Sequence, residues 1–265
     1  MKRWYYLLLF PMLWTGCGED VEGCLDPNAT NFDPSADVSC CCEYPQLTLK
    51  LSYLNYGGDS SSFALNIPYN DDNGQVFAVS DLRFYLSGFE LVRADNSVVS
   101  VTDTIEVMLR NGTLATLTDD FCLVRNSVFK YNIGTTNVSG DFTKIRFKVG
   151  LDSIASLVNP QDLETVHPLH SDFGMFSNDS YSYNKIAIIA DTSASDIIST
   201  YVIDDELVAI ELDYNFTINS GFDTEIKINA DLKSLLNTVD FQNDDYNTII
   251  SKIVTNTSEI FRIVE

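Results

Sequence analysis

Few residues in this 265-residue chain carry soft donor atoms, and two small groups of them could do chemistry. The only histidines are His167 and His170, three apart across Pro168, with Met175 close behind. Copper(I) accepts imidazole nitrogen and thioether sulfur, so His167, His170 and Met175 form a candidate three-ligand metal site. The same residues would also serve to pack a long crossover loop, and spacing leaves both readings open. Cys40-Cys41-Cys42 is a second soft-metal candidate, because adjacent thiolates can bind copper(I) or zinc. In an oxidising compartment disulfide formation competes for those thiols, and it is the preferred reading.

Other chemistry has less support. Asp26, Asn28, Thr30 and Asp37 fall at EF-hand-like positions, but Asn31 stands where that loop needs glycine and Asp37 where a bidentate glutamate is usual. Asx-turns and a disulfide account for the same residues, so calcium is not expected there. No Gly-x-Ser-x-Gly elbow, His-Glu-x-x-His helix or phosphate-cradling glycine loop is present, and no catalytic residue is assigned. The acidic pairs Asp119-Asp120, Asp204-Asp205 and Asp244-Asp245 lie in or beside turn-like segments, where solvated carboxylates are ordinary. A two-carboxylate glycosidase is the enzyme class left open, since folding alone brings its acids together. The expectation is a protein that is not an enzyme.

Charge narrows the partners. With 16 Lys and Arg against 38 Asp and Glu the net charge is −22, which disfavours nucleic acid and anionic lipid headgroups as partners. The hydrophobic share of 45% is enough to bury a core.

The first sixteen residues read as a signal peptide, outside the fold. Lys2 and Arg3 make a positive start, and the apolar stretch Trp4 to Trp14 is too short for a bilayer span, which needs about 20 residues. Its end, Leu13-Trp14-Thr15-Gly16-Cys17, resembles the lipobox of bacterial lipoproteins, with Trp14 where an aliphatic residue is usual. That resemblance implies that Cys17 is lipidated and becomes the mature N-terminus. Gly18-Glu19-Asp20 is similar to the acidic export signal that sends lipoproteins of the Bacteroidota to the outer face of the outer membrane. Removing residues 1–16 would leave 14 basic against 38 acidic residues, or −24, and no tryptophan, since Trp4 and Trp14 are the only two.

Residues 17–44 form a cysteine-rich N-terminal module. Its run from Gly23-Cys24 to Cys42-Glu43-Tyr44 resembles a short Cys-bounded module common in surface proteins of the Bacteroidota. The resemblance implies that Cys24 pairs with Cys42 or Cys40. Closing such a loop stabilises it by about 3 kcal/mol in the chain-entropy model, which a module too small for its own core needs. Cys122 could then reach back to a remaining cysteine and staple module to domain.

Residues 45–265 must position the histidine loop, and here the apolar pattern has period two. Leu47, Leu49, Leu51 and Tyr53 alternate with polar residues. So do Phe63, Leu65 and Ile67; Ile145, Phe147 and Val149; Val208, Ile210, Leu212 and Tyr214; and Ile226, Ile228, Ala230 and Leu232. Turn signals at Asp72-Asn73-Gly74, Asn111-Gly112, Ser139-Gly140 and Ser220-Gly221 separate the strands. From Leu82 to Leu91 the apolar phase flips at Gly88, as in one strand bent by a β-bulge. Ile249, Ile250, Ile253, Val254 and Thr257 follow helical spacing near the C-terminus. The expected fold is all-β, an antiparallel β-sandwich with a short C-terminal helix.

Four stretches of this domain, from about Leu47 onward, together resemble the MbnP-like family of β-sandwich proteins, named for a methanobactin-associated copper-binding protein. They are Ser80-Asp81-Leu82-Arg83-Phe84-Tyr85-Leu86-Ser87, Val149-Gly150-Leu151-Asp152, His167-Pro168-Leu169-His170 with Gly174-Met175-Phe176, and Asn229-Ala230-Asp231-Leu232 leading to Leu235-Leu236. The resemblance implies copper binding, in the best-known members through histidines and a tryptophan oxidised to kynurenine by a partner dihaem peroxidase. This chain departs where that chemistry resides. Phe176-Ser177 replaces an aromatic pair, a His-Leu-Gly motif is absent between Tyr201 and Phe222, the first strand has no histidine, and processing would remove both tryptophans. Two readings follow. One is a surface-exposed outer-membrane lipoprotein that binds or presents copper. The other is a non-catalytic accessory subunit of an outer-membrane transporter or assembly complex that kept the sandwich and lost the metal.

Overall fold

A computed structural model describes residues 19–54, 63–125, 128–190 and 198–264. The lipobox-like run ending at Cys17 and both tryptophans lie outside them. The principal elements are β1 (Gln46–Leu54), β2 (Val76–Val92), β3 (Thr104–Met108), β4 (Leu114–Thr118), β5 (Cys122–Arg125), β6 (Lys130–Thr135) and β7 (Gly140–Val149), then β8 (Asn184–Ile189), β9 (Ile198–Ile203), β10 (Val208–Ile218), β11 (Thr224–Asp231), α1 (Tyr246–Thr257) and β12 (Phe261–Ile263).

Alternation builds two sheets that face each other. One has the order β6-β1-β11-β12 and the other β9-β8-β2-β7-β10. Leu47, Leu49 and Leu51 on β1 and Ile226, Ile228 and Ala230 on β11 point inward from the first sheet; Phe84, Leu86, Phe147, Ile186 and Ile188 do so from the second. Phe261 on β12 crosses the gap, its ring centroid 5.1 Å from Phe147 and 6.2 Å from Phe84. The pairing is mostly antiparallel, with β1 and β11 a parallel exception. Helix α1 lays Ile249, Ile253 and Thr257 on this core, and Asp245 caps its start by accepting the Thr248 N–H. The all-β sandwich with a short C-terminal helix is thus present. Phe63, Leu65 and Ile67, in contrast, form no strand: they lead into a turn, and Ile67 is exposed.

The long β2 is one bent strand, as the phase flip requires. Its register against β7 shifts between Ser87 and Glu90, and Gly88 there adopts φ 64°. A second shift lies at Ser80, between the pairs Ile188–Val79 and Ala187–Asp81. Arg83 pairs with Lys185 on one side and Arg125 on the other, while Leu86 pairs with Val149 and Cys122. Strands β7 and β8 therefore lie end to end along one edge of β2, with β5 on its opposite edge.

The N-terminal module is closed by a Cys24–Cys42 disulfide and meets the Ser220-Gly221 turn, where Ser220 Oγ donates to Asn28 Oδ1 at 3.2 Å. Cys122 does not staple module to domain. It is a free thiol in the sandwich core, placed there by the pairing of β5 with Leu86, and burial pushes its pKa well up. The EF-hand-spaced residues also diverge. Asp26 accepts from the Asn28 N–H and the Tyr44 hydroxyl, Thr30 donates to Glu43 O, and Asp37 accepts from the Val21 N–H.

Chain leaves the second sheet at Gly150, whose φ is 121°. A β-carbon there would sit 2.8 Å from Tyr183 Cδ2 and 2.9 Å from Leu207 Cδ2. Gly150→Ala is expected to lower unfolding free energy by about 2–3 kcal/mol in urea denaturation, from left-handed strain plus the clash. Stability within a few tenths of wild type would contradict this geometry.

Candidate functional site

Residues 151–182 are an excursion from the second sheet, and both of its ends are fixed on one residue. Gly150 N–H donates to Tyr85 O at 2.9 Å, and Tyr85 N–H donates to Tyr183 O at 3.0 Å. The excursion thus fills the joint between β7 and β8, and it folds back over the outer face of β2. With the β3–β4 hairpin it encloses a second apolar core of Tyr85, Val107, Leu117, Phe121, Leu123, Leu151, Ala155, Val158, Leu169, Met175, Tyr181 and Tyr183. Two tyrosine hydroxyls hold the histidine loop from below. Tyr85 Oη donates to Pro168 O at 3.1 Å and Tyr181 Oη to Leu169 O at 2.8 Å. Burial keeps both hydroxyls far above the ordinary tyrosine pKa, so both remain donors.

Each histidine closes a turn. His167 Nδ1 accepts the Leu169 N–H and His170 Nδ1 accepts the Asp172 N–H, both at 3.2 Å. His170 thereby caps the 3-10 turn Ser171–Phe173, which ends at Gly174 with φ 67°. The carbonyls at that end meet cations: Arg83 Nη1 donates to Phe173 O at 2.6 Å and Lys185 Nζ to Gly174 O at 3.4 Å. Arg125 stacks 4.5 Å above the Phe173 ring. Met175 is 1% exposed and packed into the second core.

One atom is left over. His167 Nε2 is buried without a hydrogen-bond partner. It lies 3.4 Å from Asp119 Oδ1, close enough for an ion pair when protonated but misaligned for a hydrogen bond.

Of the pair Asp119-Asp120, only Asp119 is a partly solvated carboxylate. Asp120 is 5% exposed, and its Oδ2 accepts the Phe89 N–H at 2.8 Å, which secures the backbone freed by the bulge at Gly88. Burial pushes its pKa up to about 6, with the Asp152 charge adding to the effect. Asp152 itself accepts the N–H groups of Ile154 and Ala155, starting the excursion's first turn. Sequence reasoning missed Tyr85, Tyr181, Asp119 and Asp120 as parts of this site. Only the signature strand and the Val149–Asp152 run, already singled out, pointed to the joint.

The donor set does not fit a copper ion as it stands. Both Nδ1 atoms already accept backbone N–H groups, and the Met175 thioether belongs to a closed apolar core. Among the described residues, no three of His, Cys, Asp and Glu gather to hold a metal ion. Cys40-Cys41-Cys42 belong to the N-terminal module, and Cys42 is spent in the disulfide.

The family model for MbnP matches residues 44–253, which include the excursion and every principal strand except β12. The chain belongs to the MbnP family. A solved structure, MbnP from Methylosinus trichosporium, is similar over 74% of this chain and 78% of that one, with 13% identity and a TM-score of 0.43. Among curated proteins nothing matches. Within this MbnP-family domain, the first three of the four quoted stretches meet around Tyr85, while Ala230, Leu232, Leu235 and Leu236 of the fourth lie in the sandwich core.

A buried carboxyl with a raised pKa gives a signed prediction. Its folded-state value lies above the unfolded 3.8, so its stabilising contribution is complete below about pH 4 and lost as pH rises through about 6. Asp120→Asn keeps an acceptor for Phe89 N–H and removes that loss. Relative to wild type, the variant should gain on the order of 2–3 kcal/mol between pH 4 and 7.5 in parallel urea titrations. A difference that stays flat, or runs the other way, would show that Asp120 is not buried as described.

Proposed function

We propose that this chain is an exported, lipid-anchored member of the MbnP family, held at the outer membrane through Cys17. There it acts as a non-catalytic accessory subunit of an outer-membrane transporter or assembly complex, without a resident metal. The observation that carries the metal-free half of this reading is the use of both imidazole Nδ1 atoms as turn acceptors. Residues that would be ligands hold the turns of the excursion instead. The anchor rests on the lipobox-like Leu13-Trp14-Thr15-Gly16-Cys17 and the acidic Glu19-Asp20 that follows it. The strong negative charge suits a solvated outer surface more than a cation site, since copper would use His, Met or Cys.

A second reading has one observation in its favour. The buried, unpartnered His167 Nε2 beside Asp119 Oδ1 would become free to bind a metal ion if Nδ1 gave up the Leu169 N–H and the ring proton moved there. In that reading the protein binds or presents copper, with His167 as the first donor.

Two measurements separate these readings. Mature protein equilibrated with copper(I) under a competing chelator should retain none; retention of about one equivalent, lost in His167→Ala with His170→Ala, would establish the copper reading instead. Tagged protein extracted in mild detergent should carry an outer-membrane partner, and Cys17→Ser should release the protein from the membrane fraction. Recovery without any partner, or unchanged membrane association of Cys17→Ser, would count against the accessory and anchoring proposals respectively.

A further inference from the structure

Cys40 and Cys41 are free thiols beside the Cys24–Cys42 bridge, and their sulfurs are 2.7 Å apart, with Cys41 Sγ donating to Cys40 Sγ. That spacing discriminates between the possible fates of the pair. Two thiolates sharing a tetrahedral zinc with bonds of about 2.3 Å would stand roughly 3.7 Å apart. A disulfide brings them to about 2.05 Å. At 2.7 Å the pair stands nearer the disulfide spacing than the chelate spacing. The backbone is set for it as well. Cys41 adopts φ 57°, unusual for a residue with a β-carbon. Asn31 keeps it there: its Nδ2 donates to Cys41 O at 2.7 Å, and its Oδ1 accepts the Glu43 N–H at 2.9 Å. The side chains stand at the surface, Cys41 exposed and Cys40 partly so.

We propose that Cys40 and Cys41 are an oxidation site, closing into a vicinal disulfide by exchange with a small-molecule or oxidoreductase disulfide. Cys41, the more exposed sulfur, attacks one sulfur of the oxidant as its thiolate and expels the other as a thiolate. Cys40 then loses its proton and attacks the Cys41 sulfur of the mixed disulfide, expelling the second thiolate. Two protein S–H groups and one oxidant disulfide become one protein disulfide and two oxidant thiols, with both electrons passed to the oxidant. The hydrogen bond with Cys41 pushes the Cys40 thiol up to about 11, so Cys41 and not Cys40 makes the first attack. Closure leaves buried Cys122 as the free thiol among the described cysteines. It does not depend on the accessory or copper readings of the main domain.

The test uses full-length protein exposed to oxidised glutathione, then alkylated in denaturant and mapped by mass spectrometry. Cys40 and Cys41 should both be unlabelled, and the module should be lighter than its Cys24–Cys42 form by two further hydrogens; mild reduction should make both take label. In Cys24→Ser with Cys42→Ser the vicinal pair should still form. Because that variant loses the bridge that closes the module, Cys40→Ser is the second probe: Cys41 should then take label, or hold one glutathione, with Cys24–Cys42 intact. Labelling of both thiols in oxidised wild type, stable glutathione adducts on it, or exchange to a Cys24–Cys40 bridge would overturn the proposal.

Discussion

The backbone of Tyr85 is the constraint on which the candidate site depends. Its N–H and C=O leave the same edge of β2, and they receive the two ends of a 32-residue excursion, at Tyr183 and at Gly150. That pair of hydrogen bonds joins the ends of β7 and β8 along β2, beneath the histidine loop. The side chain of the same residue points away from the sandwich core, supports the loop through Pro168 O and seeds the second apolar core. Bulges on either side, at Ser80 and Gly88, are what turn Tyr85 outward while Phe84 and Leu86 face inward. Asp120 stabilises the Gly88 bulge by accepting the Phe89 N–H, and so acts on the site from below.

That arrangement gives the histidine loop a part in the fold itself. A loop gripped at Pro168 O and Leu169 O, and capped internally by its own imidazoles, is held by hydrogen bonds whose loss would leave buried acceptors unsatisfied. The histidines are therefore useful to the fold whether or not they bind anything. His167 Nε2 is the exception, a buried atom without a hydrogen bond among the described residues, 3.4 Å from the Asp119 carboxylate.

Much of the sandwich was legible because each strand repeats its inward residues at period two over many positions, as on β1, β7, β10 and β11. The Gly88 bulge was legible because the phase flip coincides with a glycine; the Ser80 bulge carries no such mark. Phe63, Leu65 and Ile67 misled because three alternating residues are too few to outweigh a turn. Resemblance to a known module left Cys24 paired with Cys42 or Cys40, the structure has Cys42, and the loss of Cys122 as a partner could be seen only once β5 had been placed in the core. The second core was illegible for a similar reason: Asp120 meets Phe89, and Tyr85 meets Pro168 and Tyr183, through long-range contacts that no local pattern encodes.

The central claim is that both histidines spend Nδ1 on the backbone, and imidazole nitrogen NMR at neutral pH tests it most directly. His167 and His170 should both be the tautomer protonated at Nε2, with Nδ1 shifted as an acceptor, and added copper(I) should leave all four nitrogen signals in place. An Nδ1-protonated tautomer at either residue, or copper-induced movement of the His167 signals, would contradict the account.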